Sequence, residues 1–315
     1  MSVDTADRRL GARAPGRSQG HRQRRHGVTH GRTGYLFVAP FMLVFVAMLV
    51  LPLAYAAYLS LFQERLIGGT VFAGIGNYTR ALTDPRLLHG VGRVALFFLI
   101  QVPIMLVIAL LAALAIDSGL LRVAKLFRLG IFLPYAVPSV VAALMWGYLY
   151  GRDFGPFAQL ADKVGAAAPK FLTPDWMLGS LANVVTWEFT GYNMIILYAA
   201  LRAVPHDLYE AAAVDGAGAI RTAWSIKIPA LRPALLICVI FSVIGSFQLF
   251  NEPQLMQRLA PSVIDSGYTP NLYAYTLAFT GQEVNYAAAV SFLLGAVIVI
   301  ASYAVLFITT RRSRA

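Results

Sequence analysis

Residues 202–233 read RAVPHDLYEAAAVDGAGAIRTAWSIKIPALRP. Pro205 and Asp207 make a helix start, and Leu208 to Val214 has good helix composition. Gly216 and Gly218 break that helix. Ala219 to Ile226 can form a second short helix, and Pro229 and Pro233 then redirect the chain. The stretch therefore predicts a helix–glycine–helix hairpin. Its apolar residues Leu208, Ala211, Ala212, Ile220, Trp224 and Ile228 are too many for a loop that faces only water. They either pack back on the flanking segments or fill a partner's groove, and composition leaves both open.

The flanks of this hairpin are apolar, and so is most of the chain. Of 315 residues, 58% are hydrophobic and 13% are charged, with a mean hydropathy of +0.65. A soluble protein of this composition could not cover its surface with polar groups. About 20 apolar residues cross a bilayer, and six stretches qualify. They are residues 35–61, 94–116, 129–150, 181–201, 234–250 and 287–309, with the hairpin (202–233) between the fourth and fifth. The expected fold is an all-α polytopic membrane protein with six transmembrane helices.

Lysine and arginine orient the spans. With the N-terminus in the cytoplasm, 18 of the 26 basic residues fall on inside segments and 8 on outside ones. Both termini and the hairpin are then cytoplasmic. Eight arginines in residues 1–34 supply much of that excess; without them the count is 10 to 8. This Arg-, Gly- and His-rich tail reads as a disordered cytoplasmic segment ahead of a transmembrane domain over 35–315, not as a nucleic-acid arm. The apolar run after it is too long for a signal peptide and leads into further spans, so span one is read as retained. A multi-pass protein of a bacterial cytoplasmic membrane, in contact with lipid, is expected.

Several chemistries are missing from the sequence. The single cysteine, Cys238, rules out a disulfide framework and a cysteine metal site. No G-x-x-x-x-G-K-[ST] segment is present to cradle phosphates, and there is no HExxH motif or nucleophile elbow. His21, His26 and His30 lie in the basic tail, where solvation is the plainer reading. A membrane-embedded enzyme would need paired carboxylates or a metal constellation, so it is the remote alternative.

Two polar stretches interrupt the spans. Glu188 lies in span four within Trp187-Glu188-Phe189-Thr190-Gly191-Tyr192-Asn193. An ionisable residue at such depth is a functional-site hypothesis by default. Aromatic faces beside hydrogen-bonding groups suit a sugar, and the plain alternative is a glutamate that snorkels to water. In span five, Ser242, Gly245, Ser246 and Glu252 fall on one helical face with Gln248 at its edge. Small residues at this spacing also mark close helix packing. Phe250-Asn251-Glu252-Pro253 ends the span at a position that fits a gate or a receptor-docking edge.

The pattern Glu210-Ala211-Ala212-Ala213-Val214-Asp215-Gly216, nine residues, then Ile226-Lys227-Ile228-Pro229 closely resembles the EAA loop of ATP-binding-cassette importer permeases. It departs from E-A-A-x-x-x-G-x9-I-x-L-P only by Ile228 for Leu. From Tyr35 onward the chain resembles the carbohydrate-uptake branch, similar to the first permease of maltose-type pairs. The segments Phe72-Ala73-Gly74-Ile75-Gly76-Asn77-Tyr78 and Leu133-Pro134-Tyr135-Ala136-Val137-Pro138 resemble that branch too.

The resemblance implies a non-enzymatic half-pore that couples through Glu210, Ala211, Ala212, Asp215, Gly216, Ile226, Ile228 and Pro229 to a cytoplasmic ATPase dimer. Glu210 would seat the hairpin by charge-assisted hydrogen bonds. Gly216 would turn the backbone where a side chain would not fit. The implied partners are a second permease subunit, the ATPase dimer and an extracytoplasmic sugar-binding protein. No cofactor is expected in this chain, ATP and magnesium residing on the ATPase. Sugar contacts are implied at Glu188, Gly191, Tyr192, Asn193, Ser242, Gly245, Ser246 and Gln248. Glycerol phosphate or another polyol is the alternative cargo, but the spans hold no basic residue for a phosphate.

Overall fold

The computed structural model describes residues 31–312 apart from Leu66 and Leu120. The first thirty residues of the predicted basic tail lie outside the described part. The chain divides into a unit up to Pro52 and a second from Leu53 onward. The first holds α1 (Gly31–Phe45), a π-turn (Val46–Val50) and the start of α2 (Leu51–Ser60). Pro40 removes one N–H from the α1 ladder, and the large side chains Tyr35, Phe37, Phe41 and Leu43 are exposed.

The second unit continues through β1 (Phe62–Arg65), β2 (Gly69–Phe72), α3 (Gly76–Thr83), α4 (Pro85–Asp117), α5 (Ala124–Phe132), a 3-10 turn (Leu133–Ala136) and α6 (Ser139–Leu149). Then come α7 (Pro156–Lys163), α8 (Pro174–Arg202), α9 (Asp207–Val214), α10 (Ala219–Thr222), a π-turn (Ala223–Lys227) and α11 (Ile228–Ala230). The chain ends with α12 (Arg232–Phe247), α13 (Asn251–Leu259), α14 (Pro270–Tyr275), a π-turn (Thr276–Thr280) and α15 (Val284–Arg312).

The strands are an exception to the expected all-α fold. They form an antiparallel hairpin in which Phe62 faces Phe72, their rings 5.4 Å apart. Gly68 and Gly69 turn it with positive φ, which a side chain would resist. Asn77 is buried at the start of α3 and donates to the carbonyls of Ser60 and Phe62, which ties the ribbon down.

Three helices among the described residues are long and apolar enough to cross a bilayer: Gly34–Ser60 (27 residues, mean hydropathy 2.7), Pro85–Asp117 (33 residues, 2.8) and Val284–Thr309 (26 residues, 2.5). Two bent pairs raise the number to five if each is one span. Ala124–Ala136 meets Ser139–Leu149 at 97°, and Ala219–Ala230 meets Arg232–Phe247 at 62°. Proline explains both corners. Pro134 and Pro138 bracket the first, and Pro229 and Pro233 flank the second. The predicted fourth span lies inside α8, which at 29 residues is long enough but carries Asn183, Glu188, Thr190 and Asn193. Those polar groups keep it below the same hydropathy standard.

The core lies between α4, α8 and α12. Val102, Met105, Ala109 and Ala113 of α4 pack with Met194, Leu197 and Leu201 of α8 and Cys238 of α12, all buried. The alanines let the backbones approach closely. Further along, Phe97, Met177, Leu181 and Val184 join Leu249, Met256, Ile264 and Leu272 in a second cluster.

Asp84 organises the start of α4. Its Oδ1 accepts from the Arg86 N–H at 2.9 Å, and Pro85 occupies the first helical position. Its Oδ2 accepts from the hydroxyls of Tyr273 (2.6 Å) and Tyr286 (2.7 Å). Partial burial pushes the carboxyl pKa up, but these hydrogen bonds favour the anion more and hold it below its ordinary value. The N-terminal end of α4 is thereby fixed to α14 and α15.

Candidate functional site

Two regions concentrate the predicted functional residues. The first is the hairpin from α9 to α11. Asp207 and Glu210 sit in the first turn of α9, where negative charge complements the helix dipole. Glu210 is exposed, with Oε1 3.2 Å from His206 Nδ1 one turn earlier. At the other end, Ala217 N–H donates to Ala212 O (2.9 Å) and Gly216 N–H to Ala213 O (3.0 Å), a Schellman closure. Gly216 takes φ +72°, yet among the described residues nothing lies within 4 Å of where its Cβ would be. The expected steric need for glycine is corrected here: within this chain the requirement is the left-handed backbone.

The structure also separates the two uses of the hairpin's apolar residues. Glu210, Ala211, Asp215 and Gly216 are exposed, whereas Ala212, Ile226, Ile228 and Pro229 are half-buried. Leu208, Val214, Ile220 and Trp224 remain open to solvent. One face packs inward and the other faces solvent.

The second region is a cavity of about 380 Å³ walled by α4, the corner between α5 and α6, α8, α12 and the start of α13. Tyr192, Asn193, Ser242, Gly245, Ser246 and Gln248, all proposed from sequence, line it. Residues that sequence reasoning missed stand beside them: Gln101 and Met105 from α4, Tyr135 and Ser139 from the corner, Phe189 from α8. Tyr135 stacks on Tyr192 at 4.8 Å and meets Phe189 edge-on at 5.9 Å, which gives the cavity an aromatic wall. The paired prolines around Tyr135 were the available signal for a broken helix at that point.

Polar groups face the same space. Asn193 is 3% exposed; its Nδ2 donates to Phe189 O at 3.0 Å, while its Oδ1 has no hydrogen-bond partner among the described residues. Gln101 Nε2 donates to Thr186 Oγ1 at 3.2 Å, and Asn251 Nδ2 to Ser139 Oγ at 2.8 Å. Glu252 is 6% exposed and lines the cavity. It does so from α13 and not from a continuous face of span five, because α12 ends at Phe247. Among the described residues, no lysine or arginine lines the cavity.

Two expected pathway residues sit elsewhere. Glu188 is 4% exposed, does not line the cavity and has no partner for its Oε2 among the described residues. Gly191 packs on α5, where an added Cβ would strike Ile131 O and Phe132 Cα. Its smallness serves helix contact. Among the described residues, no group of three or more His, Cys, Asp or Glu is arranged to hold a metal.

Residues 105–313 match the family described as binding-protein-dependent transport system inner membrane component. The chain is 32% identical over 276 residues to the lactose transport system permease protein LacF of Rhizobium radiobacter, covering 86% of this chain and 91% of that one. It is 28% identical over 276 residues to the arabinooligosaccharides transport system permease protein AraP of Bacillus subtilis, covering 85% of each. Among solved structures it is similar to a chain of a bacterial ABC transporter involved in import of the acidic polysaccharide alginate. That match has a TM-score of 0.76 at 17% identity, over 89% of this chain and 96% of the other.

Proposed function

The chain belongs to the family of binding-protein-dependent transport system inner membrane components, and on that premise we propose that it is one permease subunit of an ATP-driven importer for a neutral oligosaccharide. It is a multi-pass protein of the bacterial plasma membrane and a transport component rather than an enzyme. The observation that carries the reading is the exposed EAA-type hairpin, held open by the left-handed Gly216 and presenting Leu208, Val214, Ile220 and Trp224.

Six spans place both termini and this hairpin in the cytoplasm. The hairpin seats in a groove of the ATPase dimer, with Glu210 giving a charge-assisted contact at its rim and the exposed apolar side chains filling the groove. ATP and magnesium bind on that partner. The cavity forms this chain's half of the translocation path, and a second permease supplies the other half. Closure of the ATPase dimer rocks the two permeases between inward-open and outward-open states.

The cavity chemistry supports the cargo. Tyr135, Phe189 and Tyr192 offer faces for the CH surface of a sugar ring, while Asn193, Ser242, Ser246 and Gln248 answer its hydroxyls. The names of the two curated relatives, both sugar permeases, agree with this. An anionic cargo such as glycerol phosphate lacks a cation in the lining, and Glu252 would repel it.

Purification of the tagged protein from its host in mild detergent, followed by mass spectrometry, tests the proposal. The expected result is recovery of one other permease, an ATPase and a binding protein that retains a neutral sugar. Recovery without an ATPase would overturn the importer reading, and a binding protein holding a phosphorylated ligand would overturn the cargo.

A further inference from the structure

We propose that Asp117, Lys227 and Tyr209 form a strut that carries movement of the hairpin into the cavity wall, a proposal that rests on the ATPase-docking reading above. Lys227 Nζ lies 2.5 Å from Asp117 Oδ2, and the two side chains are 15% and 8% exposed. Lys227 Nζ also stands 5.2 Å from the ring centroid of Tyr209. Three elements meet here: Tyr209 from the first limb of the hairpin, Lys227 from the second, and Asp117 as the last residue of α4.

The Tyr209 hydroxyl is buried and finds no hydrogen-bond partner among the described residues. Burial raises its pKa, the Asp117 charge adds to that, and Arg202 opposes it. The ring therefore sits within electrostatic reach of the pair that it covers. A pair shielded from water attracts more strongly than an exposed one and has a defined geometry. Apolar side chains can slide past one another, whereas this contact makes the hairpin and the end of α4 move as one body.

What α4 does with that movement follows from its length. Met105 and Gln101 line the cavity from the same helix, about 18 and 24 Å from Asp117 at 1.5 Å per residue. Between them lie Ala109 and Ala113, both fully buried within the core shared with α8. A push at Asp117 thus reaches the cavity through one continuous helix, without crossing a loop. Asp117 and Lys227 are positioning residues and touch no cargo.

The test reads transmission without needing the cargo. A Ser242→Cys reporter on the cavity wall, in a Cys238→Ser background, is labelled with N-ethylmaleimide in the co-purified complex, with and without magnesium ATP and vanadate. In the parent the labelling rate changes about fivefold or more on nucleotide closure. Asp117→Asn and Lys227→Met reduce that change to about twofold or less while the ATPase still co-purifies. Lys227→Arg keeps it, and the exchange Asp117→Lys with Lys227→Asp restores most of it.

Undiminished transmission in both single variants would overturn the strut, as would a parent that shows no nucleotide-dependent change. If the single variants shed the ATPase, the exchange decides: recovery supports the strut and no recovery overturns it. A parent complex that purifies without an ATPase overturns the docking reading instead.

Discussion

The hairpin leaves Val214 and Ile220 87% and 77% exposed, whereas Gln101, Asn193 and Ser246 on the cavity wall are 6% exposed or less. The hairpin is built from one continuous stretch, and its short-range closure is made by its own backbone. The cavity draws on α4, the proline corner, α8, α12 and α13. A docking surface can be encoded locally because its partner supplies the other half. A cavity needs several distant segments to agree in register. Damage should therefore act differently in the two places: at the hairpin it should cost the partner, and at the cavity it should cost the cargo.

The largest break is expected from Gly216→Pro. Proline fixes φ near −65° where the hairpin needs +72°, and it deletes the N–H that reaches Ala213 O. A penalty of about 3 kcal/mol or more should lower ATPase recovery over a hundredfold with membrane insertion unchanged. Normal recovery would remove the hairpin from the docking role.

Next comes Gly191→Ala, which forces a methyl group onto the Ile131 carbonyl. Overpacking of this kind costs about 1–3 kcal/mol and should appear as a lower melting temperature in detergent. An unchanged melting temperature with altered uptake would move Gly191 back to the pathway.

The comparison itself is sharpened by pairing Glu210→Ala with Asn193→Ala. Loss of a charge-assisted hydrogen bond is worth about 1.5–3 kcal/mol, so Glu210→Ala should weaken ATPase recovery roughly tenfold or more. Asn193→Ala should raise the half-saturating sugar concentration several-fold, on the order of 1 kcal/mol, and leave ATPase recovery intact. If each variant affected both readouts alike, the division between the regions would fail.

The smallest effect is reserved for Asp84→Ala at the capped end of α4. Loss of the cap and the two tyrosine hydrogen bonds should destabilise the protein by about 1 kcal/mol at neutral pH, since the carboxyl is partly solvated. The folded-state pKa is lowered. The contribution is therefore fully present above the ordinary aspartate value of about 4 and fades as pH falls through the lowered folded value. The deficit measured against the parent should shrink in acid, and a deficit independent of pH would show that the carboxylate charge is not what holds α4 there.

How much of this was legible beforehand follows the same division. The hairpin limbs and their glycine were readable because helix starts, breakers and the EAA spacing are local signals. What could not be read was why Gly216 is needed, since clash and backbone conformation leave the same letter in a sequence. All six apolar stretches fall mainly on helices, but the corner at Leu133–Pro138 breaks the third and α12 ends at Phe247, before the fifth stretch does. The six expected pathway residues that line the cavity lie on α8, α12 and the residue just after it, where polar side chains interrupt apolar runs. Gln101 and Met105 were missed because α4 is apolar nearly throughout, so periodicity could not say which side faced the hollow. Glu188 carried the strongest single signal and yet does not line the cavity, since depth along a helix gives no direction around it.

The 97° corner between α5 and α6 interrupts a helix that would otherwise keep its backbone from solvent. Where a helix breaks, backbone carbonyls and amides lose their partners within the ladder. In hydrocarbon each unanswered group costs several kcal/mol, so such breaks survive only against protein or water. Pro138 opens α6 with no side-chain cap, and Tyr135 and Ser139, on either side of it, face the hollow. On the proposed transport role, water would answer whatever groups the corner leaves open whenever no cargo fills the hollow. A sugar entering on that role would exchange its hydroxyls for such waters, and the position of two prolines would then lower the desolvation cost of entry.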